Sequence, residues 1–111
     1  MSMKGRGKEG EGFQVGVKYA RAYHDIISDL TKAIREVDAF YEFFHMDRQM
    51  WNELGEDEQR ECIRTMADDI FYGLGGDPTL HVGRGVVHYD GRKHVITVDN
   101  GQNCINIVFL K

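Results

Sequence analysis

Five histidines, two cysteines and an adjacent pair of aspartates are the side chains here best suited to metal, acid–base or nucleophilic chemistry. A metal site needs several such ligands on one wall. His24 and His45 fall on or near the polar side of the first helical stretch, far apart along its axis. His81 and His94 are expected on the inner face of a sheet but several residue pairs apart, and His88 points the other way. No HxxxH, HxH or His–carboxylate spacing brings two ligands together, so no metal and no cofactor is expected. Asp68-Asp69 lies near a helix C-terminus, where carboxylates oppose the helix dipole. Arg64, one turn earlier, is placed to pair with Asp68. An acidic contact patch or half of a divalent-cation site is the sharper reading of that pair.

Nucleophilic catalysis has less support. Ser2 and Ser28 are the only serines, and neither sits in a strand–turn–helix elbow. Cys62 and Cys104 have apolar neighbours and are expected inside, as free thiols of a reducing cytoplasm. Gly83-Arg84-Gly85 has no helix behind it and does not read as a phosphate loop. No catalytic residue is assigned, and nothing in these patterns supports an enzyme.

Charge narrows the partners. The chain carries 14 basic and 18 acidic groups, for a net charge of −4. Residues 13–77 hold seven basic and fourteen acidic groups, whereas residues 78–111 hold four and two. A dedicated duplex-DNA reader would show a basic stripe instead. Nothing at the start resembles a signal peptide and no apolar run approaches the ~18–20 residues of a membrane span, so no membrane partner is expected.

These side chains hang on a small α+β domain over residues 13–111, preceded by a mobile glycine-rich tail over residues 1–12. Helical periodicity runs from 17 to 45: Tyr23, Ile26, Leu30, Ala33, Val37, Phe40 and Phe44 recur at steps of three and four, widened by Ile27, Ile34 and Tyr41. Arg21 with Asp25 and Lys32 with Glu36 have the spacing of helical ion pairs. Asp47 is an N-cap for a short turn over 48–54. Gly55 ends that turn, and a second helix carries Ile63, Met66, Ala67, Ile70 and Leu74 until Gly75-Gly76-Asp77-Pro78.

Beyond Pro78 the period changes to two, and a three-stranded antiparallel meander is expected to pack on the helices. Asp90-Gly91 and Asn100-Gly101 read as two-residue type I′ turns. That register gives an inner face of Val87, Tyr89, His94, Ile96, Val98, Ile105, Ile107 and Phe109. The outer face holds Val82, Arg84, Val86, His88, Lys93, Val95, Thr97, Cys104, Asn106 and Val108. Gly83 and Gly85 then form either a slot for Phe44 or Trp51 on the inner face, or a bulge.

The leading expectation is a non-catalytic interaction or regulatory module that acts as a homo-oligomer. A first helix of about 29 residues would reach roughly 43 Å, longer than one subunit's sheet could cover. Tyr23, Ile27, Leu30, Ile34 and Tyr41 would then form a dimer face. The outer sheet face, with Arg84, Val86, His88, Lys93, Val95, Asn106 and Val108, is the second contact surface, for a protein partner. The alternative is nucleic-acid binding on that outer face through Arg84, His88 and Lys93. It needs outward aromatics, which the expected register denies by turning Tyr89 and Phe109 inward. A small metal-dependent enzyme ranks third.

Overall fold

The computed structural model describes residues 16–111, so the tail expected over 1–12 lies outside the described residues. Residues 17–22 carry helical periodicity but are not helical, because tertiary hydrogen bonds claim their backbone. The N–H groups of Ala20 and Arg21 donate to the Leu110 carbonyl at 2.7 and 3.0 Å, and Lys18 N–H donates to the Tyr89 hydroxyl. Helix α1 therefore begins only at Tyr23 and spans Tyr23–Arg35.

The expected 29-residue helix is thus corrected to one of about 20 Å. Its end has no glycine or proline. Instead the chain turns to dock on the sheet: Asp38 N–H donates to Asn100 O, Arg84 N–H donates to Asp38 O, and Ala39 adopts φ 59°. A 3₁₀ helix, Phe40–Phe44, follows and closes on His45, also left-handed at φ 60°. Helix α2, Arg48–Glu53, starts where Asp47 accepts from Met50 N–H at 2.8 Å. Helix α3, Glu56–Gly76, starts at Gly55, whose N–H donates to Glu58 Oε1; Glu56, Asp57 and Glu58 favour its positive end.

The sheet has four strands, not three: β1 Thr79–Val82, β2 Gly85–Asp90, β3 Val95–Asp99 and β4 Ile105–Phe109, antiparallel in the order β1-β2-β3-β4. Val82 pairs with Gly85, so Gly83-Arg84 is itself a two-residue hairpin turn, neither mid-strand slot nor bulge. Gly83 has φ 54°, and a Cβ there would collide with the Ala39 carbonyl that docks on the turn. Space beside Gly85 is filled by Val37 rather than by Phe44 or Trp51.

Register decides the faces. Tyr89 pairs with Ile96, which makes the β2–β3 loop four residues instead of two. A change of two leaves the parity intact, so Val87, Tyr89, Ile96 and Val98 face inward as expected. Asp99 pairs with Ile105, which makes the β3–β4 loop five residues. A change of three reverses parity, and every β4 side chain changes face. Val108 is buried and Asn106 faces inward, whereas Ile105, Ile107 and Phe109 point out and are 61%, 53% and 57% exposed. Val82 also turns inward and is fully buried, while His81 turns outward.

α1 packs against α3 and β4. Ile26, Ile27, Leu30 and Ile34 meet Ile63, Met66, Ile70 and Leu74 and the inner sheet face in one core. Each such fully buried side chain contributes about 1.5–3 kcal/mol. All three helices lie on the same side of the sheet. Among the described residues, no helix is long and apolar enough to cross a membrane.

Candidate functional site

Of the expected dimer face, Ile27, Leu30 and Ile34 are fully buried in the chain's own core. Tyr23 and Tyr41 are half-buried on separate elements, so the five residues share no free surface. The Tyr23 hydroxyl donates to Asp68 Oδ1 at 2.8 Å, and its ring meets Phe71 edge-on at 5.1 Å. Burial, then the Asp68 hydrogen bond and charge, push the Tyr23 phenol well above its ordinary pKa. Asp68 is therefore held by Tyr23, not by Arg64.

The outer sheet face is split by the new register. Val86, His88 and Val95 belong to it; Asn106 and Val108 do not. Arg84 and Lys93 sit in loops, Arg84 with its Nε 3.6 Å from Asp38 Oδ2. His88 Nδ1 lies 2.9 Å from the Thr79 hydroxyl. Asp90 accepts from the N–H groups of Lys93 and Arg92, which hold its carboxyl below its ordinary pKa.

The exposed large apolar side chains of the sheet lie instead on the edge strand β4. Leu110 N–H donates to His94 O, so even-numbered residues bond toward β3 and the backbone groups of Ile105 and Ile107 point to the free edge. Arg21 caps the far end of that edge by donating to Phe109 O at 2.8 Å. At mid-strand a groove of about 190 Å³ lies between Asn106, Ile107 and Val108 on one side and Asp29, Lys32 and Ala33 of α1 with its C-cap Glu36 on the other, and it is bridged where Asn106 Nδ2 donates to Glu36 Oε1 at 3.3 Å. From Cys104 to Leu110 the chain carries no charge and no proline. Natural sheet edges are usually blunted by such residues. An added strand would hydrogen-bond to Ile107 and extend the outward row Ile105-Ile107-Phe109.

A second concavity of about 360 Å³ lies between α1 and α3, lined by His24, Ser28, Thr31, Lys32, Arg60, Glu61 and Arg64. Sequence spacing hid it, because Arg64 was paired with Asp68. A third, of about 240 Å³, is walled by Tyr19, Tyr23, Phe71 and Tyr72.

Chemistry of other kinds has less to stand on. Among the described residues no three His, Cys, Asp or Glu side chains converge as metal ligands. Both cysteines are free; Cys62 is half-buried, and Cys104 is exposed rather than inside, in the five-residue loop that the register change created. Comparison with known protein families, curated proteins and solved structures finds no match for the chain.

Proposed function

We propose that the chain is a non-catalytic interaction module of the cytoplasm that works as a homo-oligomer, with two copies joined edge to edge at β4. The observation that supports this is the uncharged edge strand with three large apolar side chains more than half exposed in one row. A patch of this kind on a small domain marks a contact surface. The row is symmetric about Ile107, which favours a second copy as occupant: a twofold axis there sets Ile105 beside the partner's Phe109. Ile107 then faces itself as a hydrogen-bonded pair, and the inward side chains of the added strand enter the groove beside α1. Strand addition of this type draws affinity from main-chain hydrogen bonds and specificity from alternate side chains.

An Ile107→Cys variant in a Cys62→Ser, Cys104→Ser background tests the axis. Hydrogen-bonded strand partners have Cα atoms about 5.5 Å apart, within disulfide range. Mild oxidation should give a covalent dimer in high yield, and the same chain with the cysteine moved to Thr97 should not. Sedimentation equilibrium at micromolar concentration should give about twice the 12.8 kDa chain mass, and Ile107→Lys should return it to the monomer. A monomer at 100-fold higher concentration refutes the reading. A dimer that forms without Ile107 cross-linking refutes the edge.

Nucleic-acid binding gains one observation, the outward turn of Phe109. A single aromatic, with Asp90 and Asp99 on the same face and Arg84 beside Asp38, is a poor platform for bases. A labelled single strand whose anisotropy rises with the chain, and no longer does with Phe109→Ala, would favour this second reading.

A further inference from the structure

We infer that the α1–α3 cleft binds a compact phosphoryl anion, of the kind carried by a phosphorylated or diphosphorylated small molecule. α1 and α3 run antiparallel: Tyr23 at the start of α1 bonds to Asp68, and residues 24–32, later on α1, line the cleft with residues 60–64, earlier on α3. That pairing sets the polar row of His24, Ser28 and Lys32 across from Arg60 and Arg64, which are one turn apart on α3. Three basic side chains line the cleft with one carboxylate, Glu61, in a segment whose overall balance is seven basic against fourteen acidic groups. Such a concentration of positive charge on an otherwise acidic pair of helices is not what solubility alone requires.

Donor accounting points the same way. Arg60 gives Nη1 to Asp57 at 2.8 Å, which leaves other N–H groups of its five-donor fork available. Among the described residues no carboxylate lies within ion-pair distance of Arg64 or Lys32. The Thr31 hydroxyl donates to Ile27 O at 2.7 Å and so shapes the wall without serving an anion. Ser28 supplies a further hydroxyl. Guanidinium forks match phosphoryl oxygens two at a time, and the aliphatic stems of Lys32, Arg60 and Arg64 line the rest of the cleft. The volume falls within the usual range for small-ligand sites, about 300–1,000 Å³. Asp25, Asp29, Glu56, Asp57 and Glu58 are on the same two helices and would repel an extended polyanion, so the ligand is a small one.

Titration of the full chain with sodium pyrophosphate in low salt, followed by amide chemical shifts, tests the site. Saturable shifts are expected at residues 24–32 and 60–64, with inorganic phosphate binding more weakly and sodium chloride at equal ionic strength producing none. Arg64→Met keeps the stem and should weaken binding about tenfold, the effect of one charge-assisted hydrogen bond. Arg60→Met with Arg64→Met should abolish it, while Arg48→Met should leave it unchanged. The variants' own amide spectra establish that each is folded. Shifts that are linear in pyrophosphate and equal at Arg48, Arg92 and Lys93 would overturn the inference. So would a folded double variant that still binds.

Discussion

Replacing Val108 and Ile107 separately by threonine discriminates the two faces of β4, because threonine keeps the branched β-carbon that strands favour and changes mainly polarity. Val108 is 2% exposed and pairs with Ile96 on the inner face. A hydroxyl there loses water, at about 1–3 kcal/mol on mutational scales. Taking 2 kcal/mol, the melting temperature falls by about 8 °C at this chain length. Ile107 is 53% exposed, and its replacement should stay within about 0.5–1 kcal/mol, near the range of surface substitutions. Urea unfolding followed by the fluorescence of Trp51, the single tryptophan and 7% exposed, reads both. Submicromolar protein keeps association out of the measurement, since Ile107 also lies at the proposed axis. Unchanged m-values would establish that stability alone has moved. If Ile107→Thr is the more damaging, the register of β4 is wrong and the outward apolar row does not exist. If the two costs are equal, β4 has no fixed face.

Three further outcomes follow from particular contacts. Tyr23→Phe removes the bond to Asp68 and should cost about 1–1.5 kcal/mol at neutral pH. Because the folded phenol keeps its proton while the unfolded one ionises near pH 10, wild-type stability should also fall as pH rises above 10, and a urea series should find that fall flattened in the variant. Gly83→Ala forces a Cβ into the Ala39 carbonyl at positive φ and should destabilise by at least about 2 kcal/mol, whereas Gly76→Ala, with open space around it at the end of α3, should raise the melting temperature by a few degrees. His45→Gly relieves an exposed left-handed residue of about 1–2 kcal/mol of strain against about 0.5–1 kcal/mol of glycine entropy, for a small net gain in thermal unfolding.

Much of the helical layer was legible because its boundaries are written in local chemistry. Asp47, Gly55 and Gly75-Gly76-Asp77-Pro78 mark helix ends that hold in the structure. The end of α1 was not legible, since no residue between Glu36 and Ala39 breaks a helix on its own. Backbone bonds from Asp38 to Asn100 and Arg84, 46 to 62 residues away, impose the turn. The sheet failed at one loop. Asp-Gly and Asn-Gly both favour two-residue turns, yet Asp90 caps Arg92 and Lys93, and Asn100 Oδ1 accepts from Gln102 N–H at 2.7 Å and Cys104 N–H at 3.3 Å. These side-chain bonds build longer loops. Only the second changes parity, which is why β2 and β3 were placed correctly and β4 was inverted. The α1–α3 cleft stayed hidden for a related reason: its rows, Ser28 with Lys32 and Arg60 with Arg64, are visible in the sequence, but which polar rows meet depends on helix pairing.

A sheet with all its helices on one side leaves its second face to water, and composition then separates a bare scaffold from a contact. On β1 and β2 the outer positions are Thr79, His81, Val86, His88 and Asp90, four polar residues around one half-buried valine. On β4 they are Ile105, Ile107 and Phe109, at the edge where unpaired backbone would most readily recruit another chain. A polar residue at any of the three would satisfy the strand's geometry as well and would reduce the hazard of uncontrolled association. Their presence together, on a strand without charge, is the observation behind the proposed edge-to-edge pairing, in which the same strand of a second copy would cover them. The anion cleft makes an independent demand: Arg60 and Arg64 are on α3, far along the chain from β4, and neutral replacements there leave the edge untouched. Lys32 alone lines both the cleft and the groove beside β4. Tests built on Arg64 and on Ile107 consequently fail or succeed separately, and Lys32→Met is the substitution that would register in both.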